Sequence, residues 1–159
     1  MLIPHVMNAL ELKIPPPVIA LLIAAAMWGI SLASPSVDVP ARVRMVAAII
    51  LALAGVGTAF SGAAAFRHAK TTVNPRQPDT ATSLVTSGVY RFTRNPMYVG
   101  LGLILLGWAV FLSAALAFLG PVAFILYISR FQIAPEETAL SRVFGAAYSA
   151  YQAQVRRWL

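Results

Sequence analysis

The stretch Tyr90–Gly100, YRFTRNPMYVG, sets Arg91, Arg94, Asn95 and Tyr98 directly against a long uncharged apolar run. A residue before proline is steered out of the helical region, so the chain turns at Asn95 and Pro96 opens a helix. The backbone N–H groups at that helix start are free to bind an anion, and Arg94 adds a fixed positive charge. Gly100 opens room for a ligand or a neighbouring helix. A second group is Glu136–Glu137, two of only five acidic residues. A carboxylate there can pair with Arg94 or Arg91, receive an ammonium, or act as a base. Together the two groups offer an anion seat and a cation seat, which suits a ligand carrying both charges, such as an amino-acid moiety. Tyr90, Tyr98, Tyr148 and Tyr151 supply hydroxyls and aromatic walls, and aromatic faces attract cations such as a sulfonium. On residue types alone, interface anchoring and helix capping account for the same residues.

The elements that must position these groups are apolar. The 159-residue chain is 59% hydrophobic and 11% charged, with mean hydropathy +0.76. A soluble domain of this size could not hide that much apolar surface, so the bilayer is the natural solvent. The fold class expected is an all-α polytopic membrane bundle in a single domain, residues 1–159. Its spans fall at about 18–33, 45–66, 97–112 and 114–131, since each crossing needs about 20 residues. A tight turn is expected near Leu112–Ser113, and a kink or break at Gly120–Pro121. A polar loop over 67–96 follows the second span and is expected to lie across the membrane face as a lid or wall. The apolar stripe Leu140, Val143, Phe144, Ala147, Tyr148, Tyr151 and Val155 predicts an amphipathic helix over 136–157, with Arg156, Arg157 and Trp158 as interface anchors. The ridge Gly55, Ala59, Ala63 predicts a close helix–helix contact.

The net charge of +7 sits beside apolar runs and fits anionic headgroups rather than nucleic acid. Arginines and lysines concentrate in the loop 67–96 and in the tail, so both termini and that loop are expected on the cytoplasmic side, in a bacterial inner membrane. With no cysteine and two histidines, no metal site is expected.

The run SGVYRFTRNPMYVG, then a hydrophobic hairpin, then PEETALSRVFGAAYSAYQAQVRRW, resembles the integral-membrane methyltransferases. These include isoprenylcysteine carboxyl methyltransferases and phospholipid methyltransferases, and the likeness covers about Leu84–Trp158. It implies a helical bundle that takes S-adenosylmethionine, yields S-adenosylhomocysteine, and methylates a lipophilic acceptor. The resemblance implies catalytic roles for Arg94 and Glu137. It places Gly88, Tyr90, Arg94, Asn95, Pro96, Tyr98, Gly100, Glu136 and Glu137 at the cofactor, and Tyr148 and Tyr151 toward the substrate. The prenylcysteine enzymes typically carry histidine where this chain has Asn95, so its R-N-P looks more like the phospholipid-methylating branch. Two other classes compete. One is a nicotinamide-dependent membrane reductase of steroid-reductase type, although no Gly-rich dinucleotide motif follows a strand. The other is a small structural or transport protein, although the spans carry no charge to line an ion path.

Overall fold

The computed structural model describes residues 11–69 and 83–159. Six α-helices run α1 (Pro16–Ala33), α2 (Ala41–His68), α3 (Pro96–Leu112), α4 (Leu119–Ile128), α5 (Ala134–Phe144) and α6 (Ala146–Gln154). Short 3₁₀ turns lie at Gly88–Arg91 and Ala115–Phe118, and a π-helical turn at Ser129–Ile133 joins α4 to α5. The described residues form an all-α membrane bundle. Three stretches are long and apolar enough to cross a bilayer, namely Pro16–Ala33, Ala41–His68 and Ala115–Phe144, with Pro96–Leu112 as a shorter apolar helix.

Prolines mark the helix starts. Pro15 and Pro40 occupy the N-cap positions of α1 and α2, and Pro96 opens α3, where a missing N–H has no helical partner to lose. The α3 helix stops at Ser113, which adopts the left-handed conformation (φ 52°, ψ 37°). Ser113 also closes this end of the bundle. Its carbonyl accepts the Val37 N–H at 2.6 Å, and its hydroxyl donates to the Val37 carbonyl at 2.8 Å.

The α2–α3 pair is the most extensive contact in the bundle. In lipid no hydrophobic drive favours helix association, so close backbone approach has to supply the attraction. Glycines permit it: a Cβ on Gly100 would lie 2.8 Å from the Ala59 Cβ, and one on Gly107 would lie 2.9 Å from the Ala48 carbonyl oxygen. Gly62 likewise receives Pro96 and Met97. The Gly55–Ala59 part of the small-residue ridge is therefore used within the chain. On its other side α3 meets α1 and α4. There Met27 nests over Gly120, and the Trp108 indole N–H donates to the Ala24 carbonyl at 3.0 Å. Between α1 and α2 the floor of α3 is left uncovered. This leaves an apolar groove of about 670 Å³ walled by Ala20, Ala24, Ala48 and Ala52 and floored by Leu105 and Trp108.

Two expectations need correction. Gly120–Pro121 breaks nothing, because Pro121 falls in the first turn of α4 where no helical N–H is required. The irregularity comes at Ser129–Ile133, ahead of Pro135. Pro135 has no N–H for the Phe131 carbonyl four residues back, and that carbonyl instead accepts the Leu12 N–H at 3.2 Å. Lastly, the helix expected over 136–157 is two helices. Gly145, at φ 52°, breaks it, and α6 ends at Gln154 where Val155 turns extended. Much of the lid expected of the loop 67–96 falls on residues 70–82, outside the described residues.

Candidate functional site

Helix direction alternates along the chain, so the start of α3, the turn before it, the α4–α5 junction and the C-terminal tail meet at one end. Arg94, one residue before the α3 cap, is the hub. Its Nη2 donates to Glu137 Oε1 at 2.8 Å, and its Nη1 donates to the carbonyls of Gln152 and Val155 at 3.1 and 3.2 Å. Its own backbone N–H donates to the Arg156 carbonyl at 3.0 Å. The pair is nearly sealed, with side chains 11% and 12% exposed. The anion seat and the cation seat expected as separate features are thus one ion pair. Glu137 also receives Arg157, through Nε to Oε1 at 3.1 Å and through Nη2 to Oε2. That bond raises the Arg157 pKa above its ordinary value, against a smaller opposing effect of burial.

Glu136 has a different company. Its Oε1 accepts the Tyr98 hydroxyl at 2.6 Å and the Gln132 side-chain amide at 3.0 Å, both neutral donors. Gln132, in the π turn, and Glu136, four residues further on in α5, share a helix face, so the amide reaches the carboxylate.

Asn95 does not cap α3 with its side chain. Its Nδ2 donates to the Arg157 carbonyl at 2.8 Å, joined there by the Thr93 hydroxyl at 3.3 Å. The Tyr98 and Val99 N–H groups bond to the Asn95 carbonyl, so the expectation of free N–H groups at the helix start does not hold for them. The anion-holding power of this corner lies in Arg94.

A layer of tyrosines backs the ion pair. Tyr90, Tyr148 and Tyr151 are buried together with Val85, and the Tyr151 hydroxyl donates to the Tyr90 carbonyl at 2.7 Å. The stripe from Leu140 and Phe144 to Val155 packs on the same cluster, so the Gly145 break redirects the helix without dispersing its apolar face. Burial pushes the Tyr90 and Tyr148 phenols above their ordinary range, and Tyr151 is pushed up to about 12 by burial, partly offset by Arg94. All three stay protonated at neutral pH and cannot act as bases.

The structure therefore brings together Arg94, Asn95, Tyr98, Glu136 and Glu137, with Tyr90, Tyr148 and Tyr151 behind them. Pro96 and Gly100 point to α2 and serve the helix seam. Gly88 sits apart, exposed at φ 62° on the rim of a pocket that also takes in His68 and Phe92. Thr93, Gln132 and Arg157 join the site without having been singled out as site residues. Gln132 carried the one available signal, a lone amide between apolar neighbours.

The donor set can be tested for fit to a zwitterionic ligand from one detail. Arg94 Nε is buried and has no hydrogen-bond partner among the described residues. A buried guanidinium N–H left without an acceptor is costly, so it marks a place where a ligand carboxylate would be welcome. Two carboxylates within one residue of each other supply the complementary seat for a cation. The residues fit an amino-acid-bearing cofactor.

Comparison with known proteins gives the family. Residues 43–147 match the model of the phospholipid methyltransferase family. A protein of Haemophilus influenzae described as uncharacterized is 54% identical over 63 residues, which is 40% of this chain and the whole of that protein. No solved structure matches. The family match spans well over half the chain and includes Arg94, Asn95, Glu136 and Glu137, while Tyr148, Tyr151 and Arg157 lie beyond it. The chain belongs to the phospholipid methyltransferase family.

Proposed function

We propose that the chain is a methyltransferase that uses S-adenosylmethionine to methylate a lipid-dissolved acceptor, with a phospholipid amine favoured, at the cytoplasmic face of a bacterial inner membrane. The observation that carries this is the sealed Arg94–Glu137 pair with its partnerless Nε, set beside Glu136 at the end of an apolar bundle. Arg67, Arg91, Arg130, Arg142, Arg156 and Arg157 gather at the same end, which under the positive-inside rule faces the cytoplasm, where the soluble cofactor is found.

Bound S-adenosylmethionine supplies an electrophilic methyl group on a sulfonium. The chain's own part is to bind, orient and keep water out. Arg94, whose Nε is without a partner among the described residues, would hold the cofactor carboxylate, and Glu137 would hold its ammonium. Glu136 faces only neutral donors, so it is the carboxylate placed to accept the proton that an amine acceptor must shed. Tyr98 and Gln132 hold that carboxylate in one orientation. The tyrosine layer and the tail from Gln152 to Trp158 close the corner from the aqueous side. A lipid acceptor reaches it from the bilayer, and the groove between α1 and α2 offers apolar room for its chains.

Calorimetry with S-adenosylhomocysteine and with NADPH is the direct test. Binding of the first and not the second is expected; the reverse would replace this proposal with a reductase. Incubating membranes with methyl-labelled cofactor and separating lipid from protein then identifies the acceptor. Label in the phospholipid fraction is expected, and label confined to protein would overturn the amine assignment.

A further inference from the structure

We infer that the Arg157 guanidinium is a displaceable occupant of the cation seat on Glu137, expelled when a ligand ammonium binds there. The inference rests on the proposed use of S-adenosylmethionine and names a residue that controls access to it.

Two guanidiniums share Glu137, and they are held in opposite ways. Arg94 is pinned: its Nη1 is committed to two tail carbonyls and its side chain is 11% exposed. Arg157 grips both oxygens of Glu137, yet its side chain is 42% exposed and Glu137 is its one side-chain hydrogen-bond partner among the described residues. Water is already at hand to rehydrate it, so leaving is cheap for Arg157 and expensive for Arg94.

The backbone around Arg157 is anchored independently of its side chain. The Arg157 carbonyl is held by Asn95 Nδ2 and the Thr93 hydroxyl, and the Arg156 carbonyl by the Arg94 N–H. The side chain can swing out while the tail stays strapped over the corner. Charge balance favours the exchange as well. One cation replaces another on Glu137, so the nearly sealed carboxylate keeps its Arg94 partner and is never stripped of positive charge. With Arg157 in place Glu137 Oε1 already accepts two donors, and the guanidinium lies across both oxygens, so an incoming ammonium has to compete with it for Oε2.

A competitor behaves differently from a binding residue or a structural one. Its removal tightens ligand binding, whereas removing either of the others weakens it. The test titrates purified full-length protein with S-adenosylhomocysteine and with 5′-methylthioadenosine, which shares the adenosine and sulfur and lacks the amino-acid group. Arg157→Gln is expected to bind S-adenosylhomocysteine about three- to tenfold more tightly than wild type, the scale of releasing a half-exposed charge-assisted pair. Its affinity for methylthioadenosine should not change. Arg157→Lys keeps a cation without the fork and should fall between, and it decides the matter should the glutamine variant fold poorly. Unchanged or weaker S-adenosylhomocysteine binding by these variants, with wild type binding normally, would overturn the inference alone. Absence of binding by wild type would overturn the cofactor proposal and this inference with it.

Discussion

The two ends of the bundle are closed by different chemistry. At one end Val37 and Ser113 exchange a backbone bond and a hydroxyl bond, and Ser36 bridges to Ala114. At the other, the described ion pairs Arg94–Glu137, Arg157–Glu137 and Arg130–Glu11 all gather, tying together the N-terminal segment, the turn before α3, the π turn and the tail. The first end shows that a helical end in this protein can be closed with neutral groups. Half-buried charges are a costly way to do the same job, because desolvation offsets much of their attraction. Closure alone does not call for such charges, and the zwitterionic ligand proposed above would supply a reason for them.

The seam between α2 and α3 supports both ends, so breaking it gives the largest effect. Gly100→Val would drive a branched side chain into Ala59 and the Gly55 backbone, where neither neighbour can move aside. A loss of about 3 kcal/mol or more is expected, read as loss of monodisperse protein and a collapsed thermal transition in detergent. A normal melt would mean the seam is looser than its geometry.

Next in size are changes at the charged end that spare the seam. Glu137→Gln and Arg94→Ala are each expected to lower methyl transfer by about 100-fold or more while the protein stays folded. Each leaves a nearly sealed partner charge behind, and a stability loss of about 2 kcal/mol is expected, reduced for Glu137 by the exposure of Arg157. Wild-type turnover by both well-folded variants would show the ion pair to be a closure like the one at the other end.

Tyr98→Phe is a finer cut. It removes one hydroxyl from Glu136 and leaves the ring in its buried place. Turnover is expected to fall about tenfold with affinity for S-adenosylhomocysteine little changed, because Glu136 is assigned to the proton and Glu137 to the cofactor. An equal loss of affinity would merge the two roles.

How much of this could be read from residue order depends on the kind of group involved. Apolar runs between prolines are visible because a bilayer demands about 20 residues of them. The Arg94, Asn95 and Glu136–Glu137 corner is visible because charge is rare here and clusters in two short motifs. What stays hidden is held by backbone. Gln152, Val155, Arg156 and Arg157 reach Arg94, Asn95 and Thr93 through carbonyls that every residue carries, so their positions leave no mark in residue type. Pro135 is ambiguous in sequence for a related reason: proline suits a helix start and a helix irregularity equally, and in the structure it stands in the first turn of α5 directly after the π turn, with the Phe131 carbonyl taken by the Leu12 N–H. Gly145 did carry a signal, since glycine within a helical pattern often ends a helix, but the continuous apolar stripe across it masked the break.

The smallest effect belongs to the neutral end, and it completes the contrast. Ser113 holds a left-handed backbone at φ 52°, which a side chain makes unfavourable by about 1 kcal/mol, and its hydroxyl returns about the same through the bond to the Val37 carbonyl. Ser113→Ala keeps the strain and loses the bond, so about 1 kcal/mol of stability should go. Ser113→Gly loses the bond and the strain together, so it should melt within a few tenths of a kcal/mol of wild type. Both should bind S-adenosylhomocysteine like wild type, because no charge at the other end is touched. A change in that affinity would mean the two ends are coupled through α3, and the separation of closure from chemistry would have to be redrawn along that helix.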